Sequence, residues 1–503
     1  WLKESWFKLR EPMSAIGEID EEVWELLAGS AGPSEESPAV KLDIPQERPP
    51  VKQTQPEDSL ARPSEAHETG ACSAGTGCCK SSSSSAPPAA VDRSGGKPKR
   101  VGGKVGQIPT DILEDPDLND AISSRLPSSY NFEVHKTIWR LRRAEAHHVG
   151  IQLPEGLTRW ATTLADMLRS FAPCVQTTTI LGDVSYGACC IDDLGCRALG
   201  VDFLIHYGHS CIVPVDQTAI SVLYVHVEVH VDVEHLVETI RLNFDPSKRL
   251  ALMGSVQFTA GVKQAVTALS ADFFEDGGGS QVPQVKPLGL GETLGCTSPA
   301  VTGADAVVFV CDGRFHLESA MIQNPHVKDG FFRYDPFAKT LTKEGYAYDT
   351  MHGERQQAIA SARNAHCVGL ILSTLGRQGS IGVLEEVERL LENRGIEHFT
   401  LLLADVVPHR LARFTHVGAW VQVACPRLSL DWGAAYSAPL LTPYEAHVAF
   451  GDTQYKDVYP MDYYSNKGGP WSNYGAHKGY GGSLGEKFRH LRPKKHMDVE
   501  YDN

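Results

Sequence analysis

Four thiols fall within residues 181–216, LGDVSYGACCIDDLGCRALGVDFLIHYGHSCIVPVD, as Cys189, Cys190, Cys196 and Cys211. Two more, Cys296 in LGCTSP and Cys425 in VQVACPRLSLDWG, also follow apolar runs that end in a turn. Thiolates are the ligands of iron–sulfur clusters, and a four-iron cluster that works on a substrate keeps one iron free of protein, so three cysteines suffice. The thiols lie far apart in the chain, with no local CxxxCxxC loop. By spacing alone Cys190, Cys196, Cys211 and Cys311 compete for the same role, and buried reduced cysteines acting as small hydrophobes fit the pattern equally well. A second pattern, His226, Glu228 and His230 in LYVHVEVHV, places three metal-ligand types on one face of a strand. The intervening valines make the other face apolar, so an exposed polar face explains it with no metal. Cys72, Cys78 and Cys79 have no fourth ligand placed to close a tetrahedral site and read as incidental.

The elements that must position these thiols follow one recurring pattern: strand, Gly-containing turn, amphipathic helix, strand. It begins at HVGIQLPEG (148–156), again at RLALMGSVQF (249–258) and again at CVGLILSTLGRQGS (367–380). In the first copy Leu157, Trp160, Leu164, Leu168 and Phe171 make one helical stripe. In the third, Ser380 is placed to cap a helix that runs to about Asn393 and ends at Gly395. Each copy has a later buried strand ending in polar or small residues: VDFLIHYGHS, ADAVVFVCDGRFH and VGAWVQVACPRLS. Short apolar strands alternating with helices predict α/β architecture, with three homologous parallel-sheet domains. Ligands of open parallel sheets collect beyond the carboxyl ends of the strands, so a shared central site is expected there. The expected domains are 108–244, 245–360 and 361–465. They are flanked by a disordered N-terminal extension, 1–107, rich in Pro, Ser, Glu and Gly, and by a flexible Gly/Tyr-rich and basic tail, 466–503.

Composition narrows the functional classes. A net charge of −15 over 503 residues argues against direct nucleic-acid binding, which needs a basic surface. No apolar run approaches the roughly 18 residues of a spanning helix. The N-terminus, WLKESWFKLREP, lacks the order of a secretory leader and starts at Trp1 where a Met is expected, which reads as a truncated start; a cytoplasmic protein with reduced cysteines is the expectation.

The segments YGACCIDD, ALGVDFLIHYGHSCIVPVD, LGCTSP, DGRFHLES, TLGRQGS, VACPRLSLDWG and LLTPYEA resemble the first-subunit branch of the eukaryotic 2-(3-amino-3-carboxypropyl)histidine synthase family, which begins diphthamide synthesis. The resemblance covers Ile108 to about Trp471. It implies a 4Fe-4S cluster held by Cys189, Cys296 and Cys425, with Cys311 a spectator because a small residue usually stands there. It also implies S-adenosylmethionine as substrate, cleaved by a noncanonical radical route to a 3-amino-3-carboxypropyl group that is transferred to a histidine of elongation factor 2. The implied partners are a homologous second subunit in a heterodimer and a small metal-binding electron donor. Around the strand ends His209, Asp312, Gly313, Arg314, Arg377 and Gln378 are the candidate contacts to S-adenosylmethionine. The alternative reading is a noncatalytic scaffold that binds a cluster or metal only to stabilise a complex; the complete trio favours the catalyst, since a scaffold needs no open iron.

Overall fold

The protein is described by a computed structural model covering residues 107–183, 185–273 and 281–475. The N-terminal extension with Cys72, Cys78 and Cys79, and the basic end of the tail, lie outside the described residues. Three four-stranded sheets carry the fold. A two-stranded antiparallel pair, β1 (Tyr130–Asn131) with β6 (Glu228–Val229), joins the start of the described chain to the end of the first sheet.

The first sheet has the order β3 (Thr177–Ile180), β2 (His148–Gln152), β4 (Phe203–Tyr207), β5 (Ser221–Val225), all parallel. The third repeats that order with β12 (Glu397–Leu403), β11 (Cys367–Ser373), β13 (Ala419–Val423) and β14 (Leu440–Leu441). Central strands β4 and β13 are buried along their whole length, as both-face coverage by helices requires. The second sheet departs from this plan. Its order is β7 (Leu250–Gly254), β8 (Ala306–Val310), β9 (Gly330–Asp335), β10 (Thr340–Glu344), and the last pair is an antiparallel hairpin. Among the described residues, the place beside β7 that a second strand fills in the other sheets is held only by isolated bridges from Ala251 to Gln281 and Gly254 to Glu292. Gly, Pro and Val alternate too irregularly in this stretch to sustain a ladder.

The helical expectations hold at the level of faces. The stripe of the first repeat splits into a 3-10 turn, Glu155–Trp160, and a helix, Ala161–Phe171, because Leu157 belongs to the turn. Leu157, Leu164 and Leu168 are buried against β2 and β4 with Trp160 and Phe171 at the margin. The helix Ile381–Arg394 starts after Ser380 and stops at Gly395 in a left-handed conformation, although the Ser380 side chain makes no capping bond. The run LYVHVEVHV is broken at Val227 (φ 55), where β5 ends and the chain turns toward β6. Val225, Val227 and Val229 are buried, while Glu228 and His230 are exposed and His226 is half-buried beside Cys211, its Nε2 3.6 Å from that sulfur.

The expectation of a loose chain from residue 466 is corrected through residue 475. Trp471 and Ser472 are buried, and the indole Nε1 of Trp471 donates to Asp462 at 2.9 Å. Gly and Tyr content read as a linker, but aromatic side chains bury large areas each and offset the ordering cost. Among the described residues no helix is long and apolar enough to cross a membrane.

Candidate metal centre

Each of the three family-matched cysteines sits beyond the carboxyl end of a different sheet. Cys189 lies in a single 3-10 turn, Ala188–Cys190, after β3. Gln152, the last residue of β2, fixes this turn: its Nε2 donates to the Cys190 carbonyl (2.8 Å) while its Oε1 accepts from the Asp192 N–H (3.2 Å) and from His206 Nδ1 (2.8 Å). Cys296 occupies the tight turn closed by the Leu294 and Thr297 bridge. Gly295 is required there, because a Cβ would lie 2.0 Å from the Phe315 ring. Cys425 ends the strand run of β13, and its carbonyl accepts from Gln422 Nε2 (3.0 Å) and from the Leu428 N–H (3.0 Å) as the helix Arg427–Trp432 begins.

Two arginines of the third sheet's loops tie the cysteine segments together. Arg377 forms a bidentate pair with the fully buried Asp193 (2.7 and 2.6 Å), and its N–H donates to the Cys189 carbonyl (2.7 Å). The preceding Gly376 has φ 54 and packs on Cys190 so closely that a Cβ would come within 2.5 Å of that backbone. Arg427 is buried. It donates to the carbonyls of Phe315 (2.7 Å) and Gly295 (3.5 Å), pairs with Glu318 (2.6 Å) and Asp431 (2.9 Å), and stacks 4.4 Å over Phe315. Asp193→Asn is expected to weaken the first of these ties by about 2 kcal/mol, less than the roughly 3–5 of a fully buried pair because Arg377 keeps some solvent contact. Chemical denaturation checks this, and an unchanged midpoint would remove the pair from the account.

The three thiols are half-buried yet surrounded by protein. A hydrogen bond to Cys190, then burial and the neighbouring thiols Cys425 and Cys296, push Cys189 well up. Burial, followed by Cys425, pushes Cys296 up to about 12, and burial pushes Cys425 up to about 11, with the Arg427 N–H and charge opposing. Cys189 and Cys296 thus both feel Cys425 across chain segments distant in sequence. Tyr463 is packed with Cys189 and Cys296 in one apolar group with Ala188, Ile212, Leu288 and Tyr464. Its hydroxyl is buried and has no hydrogen-bond partner among the described residues. Soft donors from two sheets beside an unpaired phenol, with the Cys425 thiol near them, fit an iron–sulfur cluster. Among the described residues no three metal-ligating side chains converge as a single ion requires, and a cluster spreads its thiolates over several irons. Thiols raised this far bind a cationic centre only with loss of their protons.

The remaining cysteines and candidate contacts are accounted for individually. The Cys311 thiol is buried and donates to the Gly313 carbonyl at 2.8 Å. Cys196 lies in the core with Ile191, Val201 and Leu204, and Cys211 is exposed. His209 accompanies the Cys189 segment: its Nε2 is 3.1 Å from the Ser185 carbonyl, and burial holds its pKa down to about 4, so the ring is neutral. Asp312, Gly313 and Arg314 lie exposed past β8, where Arg314 is engaged by Glu318, Glu344 and the Gly345 carbonyl. The Arg377 guanidinium is taken by Asp193, and Gln378 hydrogen-bonds Ser373 Oγ (3.1 Å) and approaches Cys190 Sγ at 3.9 Å. The sequence reading did not single out Gln152, Asp193, Arg427 or Tyr463. Arg427 and Asp193 stand inside motifs already noted, VACPRL and YGACCIDD, where a charged residue beside a cysteine was the available signal.

The family described as "Putative diphthamide synthesis protein" matches residues 153–460. The 2-(3-amino-3-carboxypropyl)histidine synthase subunit 1 of Gallus gallus is 49% identical over 369 residues, 73% of this chain and 88% of that protein. The Homo sapiens protein of the same name is 48% identical over 382 residues, covering 75% and 85%. A crystal structure of Dph2 from Pyrococcus horikoshii with a 4Fe-4S cluster superimposes with a TM-score of 0.55 and 26% identity, over 66% of this chain and 94% of that one. With the three-sheet fold and the cysteines at its strand ends, these likenesses leave one assignment, and the chain belongs to the diphthamide synthesis protein family.

Proposed function

We propose that this chain is the catalytic subunit that transfers the 3-amino-3-carboxypropyl group of S-adenosylmethionine to a histidine of translation elongation factor 2, the first step of diphthamide synthesis. Cys189, Cys296 and Cys425 are assigned as the three thiolate ligands of a 4Fe-4S cluster. The observation that supports this reading is the packing of Cys189 and Cys296, from two different sheets, in one apolar group with Tyr463, with Cys425 of the third sheet close enough to push both of those thiols up. The names of the relatives and the cluster in the Pyrococcus neighbour support it.

When bound and reduced, such a cluster supplies the electron that breaks a carbon–sulfur bond of the sulfonium. This chain's residues supply the placement. Gln152 and Arg377 fix the Cys189 turn, Arg427 fixes the turns of Cys296 and Cys425, and His209 offers a neutral imidazole on the Cys189 side. We assign His209 and the Asp312 and Gly313 segment to S-adenosylmethionine, with Arg314, Arg377 and Gln378 shaping the walls from their existing bonds. We further propose domains at 108–244, 245–360 and 361–465, a heterodimer with a homologous second subunit, a small metal-binding electron donor and action in the cytoplasm.

The test is product analysis. Anaerobically loaded, reduced protein with its second subunit and S-adenosylmethionine is expected to release methylthioadenosine and to label one histidine of elongation factor 2. Deoxyadenosine as the main product would reject the proposed bond cleavage, and a loaded heterodimer without turnover would favour the scaffold reading.

A further inference from the structure

We infer that the Tyr463 hydroxyl donates a hydrogen bond to a sulfur of the cluster and thereby makes the cluster easier to reduce; this rests on the cysteine assignment proposed above. A buried phenol O–H ordinarily finds an acceptor, and leaving it unpaired costs about 1–3 kcal/mol. Tyr463 is 4% exposed, and its hydroxyl has no acceptor among the described residues. What lies beside it instead are two of the assigned thiols. Its ring packs in the same apolar group as Cys189 and Cys296, and its N–H lies 3.4 Å from the Cys296 carbonyl.

The placement is held from several sides. The Tyr463 carbonyl accepts from the Asn473 N–H (2.8 Å) and the Tyr464 N–H donates to Thr297 Oγ1 (2.9 Å). Met461 is bonded through its N–H to Gln323 (2.9 Å) and through its carbonyl to the Ser298 N–H (2.9 Å). Thr297 and Asp462 form an antiparallel bridge, so the residue after Cys296 and the residue before Tyr463 share one register. Reduction adds negative charge to the cluster and its sulfurs, which strengthens an O–H bond to them, and such bonds are among the settings of cluster potential.

The experiment uses the full chain, loaded anaerobically with iron and sulfide and titrated against potential with EPR detection. Tyr463→Phe removes one oxygen and is expected to keep the iron content of the wild type. Its one-electron reduction is expected to become about tenfold less favourable, a shift of about 59 mV to more negative potential. Tyr474→Phe is the control, because that hydroxyl already donates to the Ile212 carbonyl at 3.0 Å, and its potential is expected to match the wild type. Independently of any variant, ENDOR of the reduced wild-type cluster is expected to show a coupled proton that exchanges in D2O. An unchanged potential in a fully loaded Tyr463→Phe chain overturns the inference while leaving the cysteine assignment standing. So does the absence of an exchangeable coupled proton in the wild type, which decides the matter if the variant fails to load. Variants lacking Cys189, Cys296 or Cys425 that keep the iron content of the wild type overturn both.

Discussion

Cys425→Ala, reconstituted anaerobically with iron and sulfide, is expected to hold less than about a tenth of the wild-type iron and to lose methylthioadenosine formation with it. Even removal of a residue that only supports a ligand costs roughly 10–100-fold in metal affinity, and removal of a ligand costs at least that. Cys189→Ala and Cys296→Ala are expected to do the same, since the proposed assignment takes one thiol from each sheet. The nearest competitor is Cys190, whose carbonyl is tied to Gln152 and whose sulfur faces Gln378. Cys311→Ala is expected to keep its iron, because that thiol is satisfied by the Gly313 carbonyl. Iron and sulfide analysis of the five proteins, wild type included, checks the assignment. Full occupancy in Cys296→Ala would show that the second ligand has been placed on the wrong residue.

The largest expected effect on stability lies behind the site. Arg355 and Glu445 are both buried and form a bidentate pair at 2.7 and 2.8 Å. The guanidinium also donates to the carbonyls of Ser429 and Leu440, both at 2.7 Å, and Tyr459 donates to Glu445 at 3.0 Å. Glu445 further completes a capping box with Thr442 at the start of the helix Pro443–Phe450. Glu445→Ala leaves a buried guanidinium uncompensated, for about 3–5 kcal/mol, and removes the Glu445 half of the capping box while Thr442 Oγ1 keeps its bond to the residue-445 N–H. Because Ser429 lies in the helix that carries Arg427, iron loading is expected to fall as well. The double variant Arg355→Met with Glu445→Ala is expected to recover part of the stability, since the orphaned charge is gone. Chemical denaturation read by circular dichroism decides it. A single variant as mild as disruption of the exposed Arg394 and Asp452 pair would refute this network's weight.

Local elements were legible in the sequence where burial dictates composition. Val149 and Ile151, Leu204 and Ile205, and Val307 to Phe309 are strand positions that only a core accepts, and Gly395 ends its helix for the conformational reason expected of it. Family likeness, not spacing, picked Cys189, Cys296 and Cys425 from their competitors. Contacts between distant segments were not legible. Nothing in TLGRQGS says that Arg377 meets Asp193, a residue from another sheet, because a pairing of that kind is set by how sheets dock and leaves no periodic trace. The second sheet's hairpin and its missing ladder beside β7 escaped for the converse reason, since an irregular stretch and a poor strand look alike in composition. Residues 466–475 misled by their glycines, while Trp471 carried the signal of a buried strap.

The distribution of the thiols over three sheets has a consequence for the newborn chain. Protein synthesis runs from the N-terminus at about 5–20 residues per second, so roughly ten to fifty seconds separate the emergence of Cys189 from that of Cys425. Throughout that interval the first thiols wait without their partner, and the strap bearing Tyr463 arrives later still. On the proposed assignment the cluster is completed only after Cys425 has emerged, and a ribosome that stops short of it releases a product that carries no complete ligand set.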